Sequence, residues 1–293
     1  MRMIKLVSKK NIVLFSLLLV IIIVGAIIIP IVIFNLQKNT KMPEGGPYYH
    51  QIYCATSTDG INWTVNHTLL FNHASVPGAV YFNGSIYVYF VDGICGSLKV
   101  AISHNNGSTY SIYAVSINGT NSPMPVDPAP IVDGSKIRLT YLGNLNPSGI
   151  NHKIVTAVSD NGINFNEEAV IFTKDRITDP DLFQNSTGGW VLFVNTGNQL
   201  IKATSNSATG NFTEDTSFSF SQGWLASTVV ISGKYYTYLH NGKNISVAEY
   251  NSSGLTFIAQ NLISGFTGIV ADPTVAILGT NKYIMYFKTC TIC

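Results

Sequence analysis

The sequence predicts an all-β domain, a five-bladed β-propeller over residues 50–293 closed by a blade shared between its two ends, preceded by one N-terminal transmembrane helix. Three observations predict it. A Gly turn leading to an aromatic recurs five times, a pair of apolar segments around a second turn recurs five times in alternation with it, and one long uncharged run precedes both.

The uncharged run comes first in the chain. Residues 12–34 carry no charge and are interrupted only by Ser16, Gly25 and Pro30. At about 1.5 Å per helical residue such a run crosses a hydrocarbon core of about 30 Å. It exceeds the roughly 7–15 residues of a signal-peptide core, and no small-residue cleavage site follows. A retained anchor is therefore expected over residues 11–35. Arg2, Lys5, Lys9 and Lys10 before it outweigh Lys38 and Lys41 after it, which predicts a cytoplasmic tail at residues 1–10. A linker at residues 36–49 would then lead to an extracellular propeller in a single-pass protein of the cell membrane.

Charge narrows the partners. Six of the seventeen Lys and Arg lie at or before Lys41, leaving eleven basic residues against fifteen acidic ones. Binding nucleic acid needs a concentrated basic face, so that class is excluded. The charged fraction of 11% is less than half the usual ~25%, and Ser, Thr, Asn and Tyr solvate the surface instead. Asn-x-Ser/Thr sequons from Asn62 to Asn251 fit a glycosylated, exported domain.

The first repeat reads STDGINW (57–63), SHNNGSTY (103–110), SDNGINF (159–165), SNSATGNF (205–212) and NSSGLTF (251–257). Each copy follows a short apolar run and reads as strand, tight turn and strand opened by a packed aromatic. Asp59 and Asp160 belong to these turns. The second repeat begins at Val76, Asp127, Asp179, Ala226 and Asp272, as in VPGAVYFNGSIYVYFV or DPTVAILGTNKYIMYF. Together they give four strands per unit, five times over, as a propeller requires. Residues 51–71 supply the outer half of a blade and residues 272–288 the inner half, and joining them removes a sheet edge.

Four cysteines in an exported domain predict disulfides. Cys54 lies in a strand beside the one that runs into Cys290 and Cys293. Cys54 is expected to pair with one of these two, and Cys95 with the other. Zinc would need a second ligand cluster that the sequence does not display, so no metal site is assigned to the cysteines.

Asp-Pro, an apolar pair, a turn, an aromatic strand and later Ser-x-Asp/Asn-Gly-x-x-Trp/Phe resemble the five-bladed propeller glycosidases of glycoside hydrolase family 43 and their relatives in family 32. The resemblance covers about residues 50–293. It implies that the leading residue of each blade's first strand can present a carboxylate to a sugar, and glycosidic cleavage takes two such groups. The leading residues here are Val76, Asp127, Asp179, Ala226 and Asp272. ITDPDLFQNSTGGWVLFV is similar to the family 43 segment whose Asp orients the catalytic acid and tunes its pKa, which implies that role for Asp179. The family carries the acid as Glu-Gly-Pro in the next blade, where this chain reads Trp224, Leu225, Ala226, Ser227. It carries the base as Asp before Pro in the first blade, where this chain reads Val76-Pro77.

The resemblance therefore implies a carbohydrate-recognising pocket without the usual acid and base. Asp127, Asp179 and Asp272 are the catalytic candidates. The same three, with Asp181 and with Trp224 as a stacking platform, are the candidates for binding sugar. One alternative is an active exo-glycosidase with Asp92, Asp181 or Glu249 as substitutes, and the other is a structural or protein-binding ring. The expected partners are a glycan and, through the N-terminal helix, the membrane. No cofactor is required, although converging carboxylates could hold calcium in the channel.

Overall fold

A computed structural model describes residues 46–293, apart from Asn121, Pro123, Pro147 and Asn198. Five antiparallel sheets form five blades, numbered here in chain order. Their inner strands are Ala74–Phe82, Val126–Asp133, Ile177–Gln184, Trp224–Ile231 and Ile269–Gly279. These pack side by side in a closed ring, each blade against the next and the fifth against the first. The second blade gains a further strand, Ser116–Asn118, paired parallel to Asn164–Lys174.

The ring closes as the half-units predict. Blade 5 has the order Thr64–Asn72, Gln51–Ser57, Lys282–Cys290, Ile269–Gly279, so strands from both ends of the propeller pair directly. Both ends of the propeller are thereby hydrogen-bonded into one sheet.

The repeated sequence elements become the contacts between blades. An apolar cluster fills each of the five interfaces, and Tyr89, Tyr141, Tyr238 and Tyr286 are fully buried in them. Tyr238 of blade 4 donates its hydroxyl to the carbonyl of Gly60 in blade 5, 2.8 Å away. Tyr89 of blade 1 does the same to Gly162 of blade 2 at 2.9 Å. The glycines sit at φ 76° and 72°, a left-handed conformation that costs Gly no steric energy. A Cβ on Gly60 would also fall 2.5 Å from Ile231 Cδ1 of the preceding blade. The turn is thus a socket for its neighbour, which is why the motif repeats.

Within the turn, Ser57 Oγ accepts from Gly60 N at 2.9 Å, and Asp59 Oδ1 accepts from Ile61 N and Asn62 N, each at 2.8 Å. Burial opposes the charge on Asp59, but the hydrogen bonds from Asn62, Ile61 and Ser57 win and hold its pKa at about 2. In the equivalent turn of blade 2 that acceptor is Asn161. Asp160 is left exposed, 3.4 Å from Lys136 Nζ.

Two expectations are corrected. Cys290 pairs with Cys293, their Cα atoms 5.7 Å apart, while Cys54 is buried and free and Cys95 exposed and free. The reason is register. Cys54 lies opposite Tyr286, four residues before Cys290, or about 13 Å along a strand, well beyond the ~7 Å limit for a disulfide. The second correction concerns the single-pass cell-membrane location. Among the described residues no helix is long and apolar enough to cross a membrane, and the only helical element there is the turn Pro47–Tyr49. The 11–35 segment expected to span the membrane lies outside the described residues.

Candidate active site in the central channel

All five inner strands slip register at the same place. The slips fall between Ser75 and Gly78, Val126 and Ala129, Thr178 and Asp181, Trp224 and Ser227, and Ala271 and Thr274. Each is a bulge at the leading position of its blade. Val76, Asp127, Asp179 and Asp272 have φ between 51° and 54°, which costs a non-glycine residue roughly 1–2 kcal/mol. A Pro follows each, disfavouring the ordinary helical alternative. Bulge and left-handed turn together break the in–out alternation of the strand and re-aim the leading side chain. Strain repeated at one level of a ring makes that level the candidate functional site.

The re-aimed residues meet in a cavity of about 530 Å³, whose lining includes Val76, Asp127, Asp179, Asp181 and Asp272. Asp272 and Asp181 are buried, 4% and 6% exposed, and Asp127 and Asp179 are half-buried. Asp127 Oδ2 accepts from the backbone N–H of Asp179 at 3.2 Å, and Asp179 Oδ2 accepts from Asn195 Nδ2 at 3.3 Å. Two residues further along, side chains cap backbone edges between blades, as where Thr274 Oγ1 accepts from Ala79 N at 2.9 Å.

Charge in this hollow is unevenly balanced. Burial first, then the neighbouring Asp127 and Asp272 charges, push Asp179 well above the ordinary carboxylate range. Burial also raises Asp127, to about 6, against the opposing hydrogen bond from Asp179 N. Burial carries Asp181 to about 7. Asp272 has a countercharge, Lys288 Nζ at 2.5 Å from its Oδ2. Burial disfavours the Lys288 ammonium, yet Asp272 and the two other aspartates raise its pKa. His240 Nε2 lies 3.5 Å from Asp272 Oδ1. Burial lowers the pKa of His240 to about 4, and its Nδ1 accepts from Gly242 N at 2.8 Å. The neutral ring therefore carries its proton on Nε2, toward Asp272.

The ring thus brings Asp127, Asp179, Asp181 and Asp272 together and leaves the other candidates outside. Asp92 is ion-paired with Lys99 and accepts from Ile94 N at 2.7 Å. Glu249 pairs with Lys234 at 3.1 Å. Neither lines the cavity. Trp224 is not in the lining either, and packs edge-on against His240 with centroids 5.5 Å apart. Sequence reasoning missed Lys288, His240 and Asn195, which come from second strands and meet the aspartates only in space. A charged Lys late in the apolar run YIMYFK was the one available signal. Among the described residues, the one group of three metal-ligating atoms within 4.8 Å of one another is His50, Cys290 and Cys293. The four aspartates offer no comparable set for calcium.

Solved structures carry this architecture. The fold is that of the five-bladed propeller glycosidases. A family 43 β-xylosidase/α-arabinofuranosidase from a compost microbial metagenome, solved with xylotriose in a calcium-free form, superposes with a TM-score of 0.57 at 16% identity, over 73% of this chain and 84% of that one. An α-L-arabinofuranosidase from Clostridium thermocellum gives 0.54 at 17% identity, over 76% and 86%. A family 117 glycoside hydrolase from Zobellia galactanivorans gives 0.54 at 13%, over 85% and 92%. At these identities the likeness is one of fold. No family model matches the sequence, and no curated protein matches it.

Proposed function

We propose that the central hollow binds a glycoside and hydrolyses it, with catalytic carboxylates carried one blade earlier around the ring than the family resemblance implies. In that resemblance the base stands on blade 1, the orienting Asp on blade 3 and the acid on blade 4. This chain has Val76 and Ala226 on blades 1 and 4, but Asp272, Asp127 and Asp179 on blades 5, 2 and 3. The cyclic spacing is the same. In a ring of five similar sheets, such a rotation leaves the relative geometry of the three groups unchanged.

The observation that carries this reading is the split in electrostatics. Glycosidic cleavage needs one carboxyl that holds a proton and one that carries charge. Asp179 is pushed toward the neutral acid by burial and by its neighbours, while Asp272 faces the Lys288 ammonium. On this reading Asp179 protonates the departing sugar oxygen, Asp272 acts as base or nucleophile, and Asp127 fixes the backbone of Asp179. Asp181, which lines the cavity, has Oδ2 buried without a hydrogen-bond partner among the described residues, and a sugar hydroxyl would satisfy it. The neighbours with xylotriose or arabinofuranosidase activity favour a pentose glycoside as the first substrate to try.

Recognition without hydrolysis is the second reading, favoured by the ion pair that occupies Asp272 Oδ2. A purely structural ring is disfavoured by a channel lined with carboxylates rather than plugged by apolar side chains. Release of reducing sugar from aryl-pentosides and xylo- and arabino-oligosaccharides separates the first two readings. Hydrolysis predicts turnover that falls about 10²–10⁴-fold in Asp179→Asn and in Asp272→Asn. Tight binding with no turnover by the wild type would establish recognition alone.

A further inference from the structure

Outside the channel, three potential metal-ligand side chains converge where the ring closes. Cys290 ends the second strand of blade 5 and is 1% exposed. His50 stands opposite it, one step beyond the Gln51–Thr289 pair of the same sheet, and Cys293 follows three residues after Cys290 on the surface. One ligand atom from each lies within 4.8 Å of the others. The imidazole is fixed in place: its Nδ1 lies 2.7 Å from Ser75 Oγ, and its backbone carbonyl accepts from Ala74 N at 3.1 Å. Nε2 is left as the nitrogen free to ligate. Anchoring one ring nitrogen on a hydroxyl is how a ligating His is oriented.

We propose that His50, Cys290 and Cys293 form a redox-gated site for a thiophilic divalent metal, with zinc the ion that fits. In the disulfide state the sulfurs are bonded to each other and cannot bind it. A dithiol reductant opens the site. Its thiolate attacks the accessible Cys293 sulfur, the buried Cys290 sulfur leaves as thiolate, and the second thiol of the reductant displaces Cys293 and departs as a cyclic disulfide. The two protein thiols then lose their protons to the solvent as the metal binds, giving two thiolates and one imidazole with a fourth position open. Two Cys and one His with an open position is an established tetrahedral zinc set, and thiolates select zinc over calcium or magnesium.

The two states differ in what they join. The disulfide links residues three apart and so constrains little of the chain. The metal would link residue 50 to residues 290 and 293, tying the two ends of the propeller together. It would also sit two residues from Lys288, the countercharge of Asp272. This site is independent of the glycoside reading and stands or falls separately from it.

The test uses the full chain, reduced anaerobically with a dithiol, freed of reductant and titrated with Co²⁺ as the spectroscopic probe. One equivalent should produce a thiolate-to-cobalt charge-transfer band with the visible bands of a tetrahedral site, and zinc should abolish both. His50→Ala should weaken binding at least about 10-fold, Ser75→Ala about 10-fold through loss of the orienting hydroxyl, and Cys293→Ser should remove the charge-transfer band in large part. Circular dichroism of each apo variant checks that the propeller is intact. The proposal is overturned by the absence of a band in reduced wild type, by unchanged affinity in folded His50→Ala, or by equal binding to the oxidised protein.

Discussion

Replacing Asp181 with Asn should change how stability depends on pH, in a direction set by the cavity. Asp181 is 6% exposed, and one carboxyl oxygen lies buried without a hydrogen-bond partner among the described residues. Burial raises its pKa to about 7, against about 3.9 in an unfolded chain. The folded protein therefore keeps a proton that the unfolded chain releases, so the contribution of this group to stability is full below about pH 4 and is lost as pH rises to about 7. Three pKa units at about 1.4 kcal/mol each give an upper limit near 4 kcal/mol, and water entering the cavity reduces it. Asp127 and Asp179 are shifted in the same direction, so the wild type retains part of the slope without Asp181. Urea unfolding from pH 4 to pH 8 should show the wild type losing stability with pH and Asp181→Asn losing less. The variant should be similar in stability to the wild type at pH 4 and more stable at pH 8. Parallel profiles for the two proteins would refute the claim that this carboxyl is held neutral in the channel.

Three further perturbations probe the ring and its charges. Lys288→Met leaves Asp272 buried beside His240 without its countercharge and should cost about 3–5 kcal/mol, read as a lowered urea midpoint at neutral pH. Gly78→Ala would place a Cβ 1.9 Å from the Pro128 carbonyl of the next blade. Because that obstacle is backbone, the variant should lose several degrees of thermal midpoint. Tyr238→Phe removes the hydrogen bond to the Gly60 carbonyl and leaves that carbonyl its bond from Trp63 Nε1 at 3.2 Å, for a loss of about 0.5–1.5 kcal/mol with no change in carbohydrate binding.

The architecture was legible because each repeat encodes a contact with its neighbour. The Gly turns at Gly60 and Gly162 receive tyrosines from the preceding blade, so turn and aromatic had to recur together. The half-units at the two ends foretold the shared blade for the same reason. Register was not legible. Cys54 and Cys290 occupy adjacent strands, yet a four-residue offset separates them, and nothing in the alternation of apolar residues fixes that offset. The site was half legible. Asp-Pro at the head of an inner strand announced Asp127, Asp179 and Asp272, and the bulge that turns them inward explains why the position repeats. Lys288, His240 and Asn195 are set by the packing of second strands against the ring, and each is a single residue in a strand that otherwise looks like core. Trp224 was expected to stack on sugar but packs on His240, because the slip at Ser227 governs which side chains face the channel.

The most direct test of a glycan-binding channel is calorimetric titration of Asp272→Asn, in which turnover is suppressed, with xylo- and arabino-oligosaccharides. One saturable site per chain is predicted, lost when Asp127 and Asp179 are both replaced by Ala in a protein that still folds. No heat with any member of the panel, or binding unaffected by the double replacement, would contradict it.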